Sequence, residues 1–219
     1  MANGIMQRRF GTEGRALSDR AFYLLIGAAL LFGFFVNALE VMFLTDFFLS
    51  WNPTVFLIVY LVMVIVGCIM SVWSRNPVIS FIGYCMVVLP LGAVLSIYLP
   101  AFTYKTITSA FLVTTFLSLF MIILALVYPR VFNSIFALLG IAVLVALIYQ
   151  IVAIFTGFGN NTWVDWLIVL LFSAYVGFDV SLARVRPRTV NNAVASACAI
   201  YVDLIYVFIR LVAIFGRHE

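Results

Sequence analysis

An all-α integral membrane protein of seven transmembrane helices is predicted by three observations. Of the 219 residues, 66% are hydrophobic, where a soluble domain has roughly half. Only 9% are charged, twelve basic and eight acidic, too few to cover a folded surface in water. The apolar residues fall in runs of about 20, the length that crosses a bilayer, and the runs break where charges, Pro and Asn cluster. A mean hydropathy of +1.24 agrees. The reading is a cytoplasmic N-terminal segment over residues 1–20, a single membrane domain over 21–216 and a short tail over 217–219.

The first span, Ala21 to Leu44, is 24 residues long. It exceeds the apolar region of a signal peptide and no small-x-small cleavage site follows, so it reads as a retained helix. The second and third, Pro53 to Trp73 and Pro77 to Tyr98, open on prolines, which suit a first helical turn where no N–H is needed. Pro90 lies inside the third and should kink it. Thr106 to Val127, Phe132 to Phe155, Trp163 to Ala183 and Val190 to Phe215 follow, with short connections that make consecutive helices antiparallel neighbours. Trp51, Trp73, Trp163 and Trp166 fall near span ends, as an aromatic belt requires. The seventh span opens on Ala193-Val194-Ala195-Ser196-Ala197-Cys198-Ala199. Small residues at four-residue spacing allow close helix approach in lipid, which places this helix centrally among the others.

Orientation follows from the bases. Arg8, Arg9, Arg15, Arg20, Arg75, Arg130, Arg184, Arg186 and Arg188 fall on one side of this ladder, and Lys105, Arg210 and Arg217 on the other. The richer side is cytoplasmic, so the N terminus is inside and, with seven spans, the C terminus outside. Six spans and a re-entrant segment would reverse the latter. The bases are spread over ends and connections, which speaks against a nucleic-acid partner. Cys68, Cys85 and Cys198 lie in apolar runs without metal-ligand spacing and read as packing residues.

The informative side chains are the acids inside spans: Glu40, Asp179 and Asp203. An ionised carboxyl at the bilayer centre costs about 2.5–3.5 kcal/mol on insertion scales, so such a group is protonated, paired or facing a cavity. Asp179 precedes Arg184 by five residues, roughly 7 to 8 Å of helix rise. Asp203 reaches the same depth on the next helix if that helix begins near Ala195 or Ser196 after an irregular Asn191-Asn192 stretch. The pair can then meet, with Arg75 reaching inward from the same side. Two such carboxyls titrate as a unit and form a proton switch. Equally, they form a hydrogen-bonded staple that only fixes the last helix. Two carboxylates without His or Cys suit calcium among metals, making Asp179 and Asp203 candidate ligands. Arg210, two turns beyond Asp203, either lines the outer half of the interior or snorkels outward.

The single histidine is His218 and the single lysine Lys105 is in a connection. These exclude Ser-His and Cys-His relays, an HExxH zinc site and a Schiff base in the last helix. Paired aspartates leave aspartyl-protease chemistry open, but only Gly177-Phe178-Asp179 matches a Gly-x-Gly-Asp signature, with Val176 out of pattern.

The segments Phe172-Ser173-Ala174-Tyr175-Val176-Gly177-Phe178-Asp179 and Ile200-Tyr201-Val202-Asp203-Leu204-Ile205-Tyr206-Val207-Phe208-Ile209-Arg210-Leu211 resemble the Bax inhibitor-1 family, also called transmembrane Bax inhibitor motif proteins. Weaker similarity covers Met6-Gln7-Arg8, the first span, Trp73-Ser74-Arg75, Ala110-Phe111 and Thr114-Thr115-Phe116, so it extends over nearly the whole chain. The resemblance implies seven helices with the C-terminal one surrounded by the other six. It also implies a pH-sensitive calcium leak, with Asp179 and Asp203 as proton sensors and Arg75 as a cytoplasmic latch. The chain departs at Phe178, where the family commonly has Tyr. It departs again around Val64, where some members carry a carboxylate, leaving Glu40 as the remaining acid for ion coordination. The expected function is therefore a calcium leak without enzymatic activity and without a required cofactor. Its partners are the bilayer, protons and calcium as transported ion. Its setting is multi-pass, in a bacterial inner membrane as readily as an organelle. The alternatives are a non-conducting scaffold and an intramembrane aspartyl protease.

Overall fold

The computed structural model describes residues 16–156 and 162–217. Arg8, Arg9, Arg15, His218 and most of the connection before the sixth predicted span lie outside the described residues. All regular structure among the described residues is helical: α1 (Asp19–Phe43), α2 (Thr45–Leu49), α3 (Pro53–Trp73), α4 (Pro77–Tyr98) with a 3₁₀ turn Leu99–Ala101, α5 (Tyr104–Val127), α6 (Pro129–Ser134), α7 (Phe136–Thr156), α8 (Thr162–Val185) and α9 (Val190–Gly216). Among them α1, α3, α4 with its 3₁₀ turn, α5, α8 and α9 are six helices long and apolar enough to cross a membrane. Their outward residues, such as Leu24, Leu31, Phe116 and Leu167, are large and apolar, as a lipid-facing surface demands.

Short polar side chains set the helix starts by accepting from the first free backbone N–H groups. Ser18 Oγ accepts from the Ala21 N–H, Asn52 Oδ1 from Thr54, Asn76 Oδ1 from Val78 and Thr103 Oγ1 from Thr106. Pro53 and Pro77 follow their caps directly.

Three features of these helices differ from expectation. The first connection contains the short helix α2. The predicted Phe132 to Phe155 span is interrupted at Ile135, which separates α6 from α7, and the Val131 carbonyl there accepts from both the Ser134 hydroxyl at 2.8 Å and the Ile135 N–H at 3.2 Å. And α9 is regular from Val190, the predicted bound of the seventh span, without the irregular Asn191-Asn192 stretch on which the matching depth of Asp203 depended, because Thr189 caps it by accepting from the Asn192 N–H at 3.3 Å. Asn191 and Asn192 lie within the helix, and their side-chain amides donate outward to the Ser74 and Pro187 carbonyls.

The chain divides into two compact units, one of residues up to Ala101 with Ala183–Val202, the other of Phe102–Leu182 with Asp203 onward. In the first, α3 and α4 meet through glycines. A Cβ on Gly83 would fall 2.6 Å from the Ser71 nitrogen and 2.7 Å from the Gly67 carbonyl oxygen, so only a residue without a side chain fits. Ser80 Oγ donates to the Ser71 carbonyl beside this contact. Tyr84 and Tyr201, both fully buried, pack edge to face at 5.8 Å, and Tyr84 donates its hydroxyl to the Ala29 carbonyl. Ala193 to Cys198 are buried without interruption, as the small-residue run requires of a helix enclosed by protein.

The connection between α8 and α9 is held in the same unit by Arg188. Its guanidinium donates to Asp19 at 2.8 Å, to the Ala183 carbonyl at 2.8 Å and to the Tyr23 hydroxyl at 3.3 Å, and it lies over the Phe22 and Tyr23 rings. Arg186 turns inward to donate to Ser196 Oγ. In the second unit the core is Ala125, Phe132, Leu139 and Phe178, and Gly177 gives way to the Phe132 ring, which a Cβ would approach to 2.3 Å.

Candidate functional site

The second unit holds the acid pair. Asp179 stands on α8 and Asp203 on α9, and their carboxyls share a side-chain hydrogen bond. Asp203 is buried at 6% exposure and Asp179 is half-buried. Asp203 Oδ2 has no hydrogen-bond partner. The two helices are aligned nearby by Phe172 and Tyr206, whose rings stack at 4.8 Å with an 8° interplanar angle. Phe172 is seven residues before Asp179 and Tyr206 three after Asp203, so each ring shares a helix face with its carboxyl.

Tyr175, one turn before Asp179, lies close enough to interact electrostatically with both carboxyls. It brings a hydroxyl to the pair although Phe178 does not, and Phe178 is instead part of the apolar core. Spacing held the signal: positions 175 and 179 share a helix face, whereas 178 and 179 do not.

Arg75 lies exposed in the connection between α3 and α4, within the first unit. Glu40 is on α1 in that unit, buried at 4% exposure. One turn earlier on the same helix, Asn37 donates through Nδ2 to the Tyr201 hydroxyl at 2.5 Å.

Arg210 is ion-paired: its Nη1 donates to Asp165 Oδ1 at 3.0 Å. Arg217 contacts Asp165 Oδ2 at 2.6 Å and donates to Thr162 Oγ1 at 3.2 Å. Asp165 is buried at 3% exposure, and the sequence reading did not single it out. The available signal was charge balance, since Arg210 and Arg217 fall toward the C-terminal end of α9 and Asp165 in the first turn of α8.

Among the described residues no three His, Cys, Asp or Glu side chains cluster as a metal-binding group. The acid pair offers a shared proton and one further buried oxygen. Proton exchange is the chemistry it supports most directly.

Residues 16–219 match the family described as inhibitor of apoptosis-promoting Bax1. No curated protein matches the chain.

Proposed function

The chain belongs to the Bax inhibitor-1 family, and from that premise we propose that this helical membrane protein passes calcium down its gradient, with the proton on the Asp179/Asp203 pair setting its open population. The supporting observation is the hydrogen bond between carboxyls on two different helices. Such a contact needs one proton between its oxygens. As pH rises and that proton leaves, two like charges face each other in a poorly screened interior and the contact is lost. The stability contributed by the pair is thus present at low pH and absent at high pH. The freed carboxylates then take up calcium or Arg75, the latch of this reading.

In this reading α7, with 21 residues and about 31 Å of rise, supplies a seventh span. α9 is then the helix the others surround, the N terminus is cytoplasmic, and the membrane is a bacterial inner membrane. The protein is not an enzyme.

Calcium-dye influx into liposomes holding the purified protein tests the proposal. Flux is expected to depend on pH across about 5 to 8, and Asp203→Asn to flatten that dependence. Absence of flux at every pH removes the channel, and an unchanged profile in the variant removes the sensor.

A second reading is a non-conducting scaffold. It is favoured by the ring stack of Phe172 on Tyr206 and the ion pair of Asp165 with Arg210, which already join α8 to α9 at two other places. There Asp179→Asn lowers the melting temperature in detergent while no ion moves.

A further inference from the structure

Glu40 and Asn37 occupy one face of α1, three residues apart, each at 4% exposure. Their side chains converge on the backbone of Gly92 in α4. A Cβ built there would fall 1.6 Å from Glu40 Oε2 and 2.6 Å from Asn37 Oδ1, so these two oxygens are at most 4.2 Å apart. Neither has a hydrogen-bond partner. The direction of Asn37 Oδ1 is set by the other end of the same amide, which donates to Tyr201, a fully buried ring held by Tyr84. The hydroxyl of Ser96, one turn further along α4, donates to the Gly92 carbonyl and so is turned to the helix backbone.

Two acceptor oxygens brought together in an apolar interior are costly unless a proton held by the carboxyl or a cation lies between them. One carboxylate balances one positive charge. A calcium ion would be left with net charge here and wants six to eight oxygens.

We propose that Glu40 and Asn37, seated against Gly92 and oriented by Tyr201, bind one small hard monovalent cation of the sodium class, with water completing its shell. Gly92 is the residue that leaves room for the carboxyl, and Tyr201 acts as a positioning residue. This site is independent of the calcium-leak reading: it is measured by binding, not by flux.

Melting of the full-length protein in detergent, with choline exchanged for sodium at constant ionic strength, tests it. A saturable rise of roughly 5 °C at a hundredfold excess over Kd is expected. Glu40→Gln, which keeps the shape and removes the charge, should abolish the sodium response, and Gly92→Ala should weaken it by displacing the carboxyl. Equilibrium binding of radiolabelled sodium to the unmutated protein, expected at one site per chain, keeps the test decisive should the variants fail to fold. Absence of saturable sodium binding overturns the assignment. So does a sodium response that survives in Glu40→Gln, equal stabilisation by calcium, or a response to pH alone, which would make the occupant a proton.

Discussion

At the residue scale, the polar side chains inside these helices divide by what answers them. Asp165 is answered twice, by Arg210 and Arg217, and its burial makes it the counter-ion on which both arginines depend. Removing one partner of a buried ion pair costs more than the pair contributes, because the charge left behind is uncompensated. Asp165→Asn should therefore lower stability by about 3 kcal/mol, discounted toward 2 because both arginines retain some water. Denaturation monitored in detergent checks this, and doubling the variant with Arg210→Gln should recover part of the loss. Asp165 was not legible as a site residue because an acid at a span end is ordinarily solvated. Its burial follows from where α9 ends, which no local pattern encodes. The Asp179/Asp203 contact was legible, since charged groups are so rare in this chain that two acids inside consecutive spans stand out, although the depth argument for it assumed a later start of α9.

At the element scale, side chains that are absent matter as much as those present. The contact of α3 with α4 puts the Gly83 Cα against the Gly67 carbonyl and the Ser71 nitrogen. Gly83→Val should force the helices apart and lower the melting temperature markedly, whereas Gly140→Val, where an added Cβ meets nothing within 4 Å, should leave it nearly unchanged. Thermal unfolding of the two variants side by side makes the comparison. Most helix bounds were readable because Ser18, Asn52, Asn76 and Thr103 are strong caps at the ends of apolar runs. The break at Ile135 was not, because no Pro or Gly stands there to announce it. The regular first turn of α9 was not readable for the opposite reason. Asn191 and Asn192 look like helix breakers, yet their amides find carbonyls outside the helix and leave its own ladder intact.

At the scale of the whole molecule, the question is how many times the chain crosses. With α7 as a span, the two termini lie on opposite sides of the membrane. With six crossings they lie together. A cysteine-reactive, membrane-impermeant label at position 218, compared with one near the N terminus in intact cells, distinguishes these outcomes. Opposite accessibility is expected. The membrane character, the helical class and the family were legible from composition and motif. What composition does not encode is how buried polar groups in different helices are matched, since hydrophobic periodicity reports which face avoids water and is silent on its partner.

Arg188 entered the orientation count as one positive charge among nine, yet its guanidinium is engaged with Asp19, two carbonyls and two aromatic rings. The connection that carries it should therefore resist proteolysis. A trypsin-like enzyme must draw a stretch of chain into an extended conformation and accept the arginine into its own pocket. Here the four residues 186–189 are tied to helices at both ends, Arg186 is followed by proline, and Arg188 is already held. A loop that advertises itself as a cleavage site by composition is shielded by the same charges that make it look vulnerable.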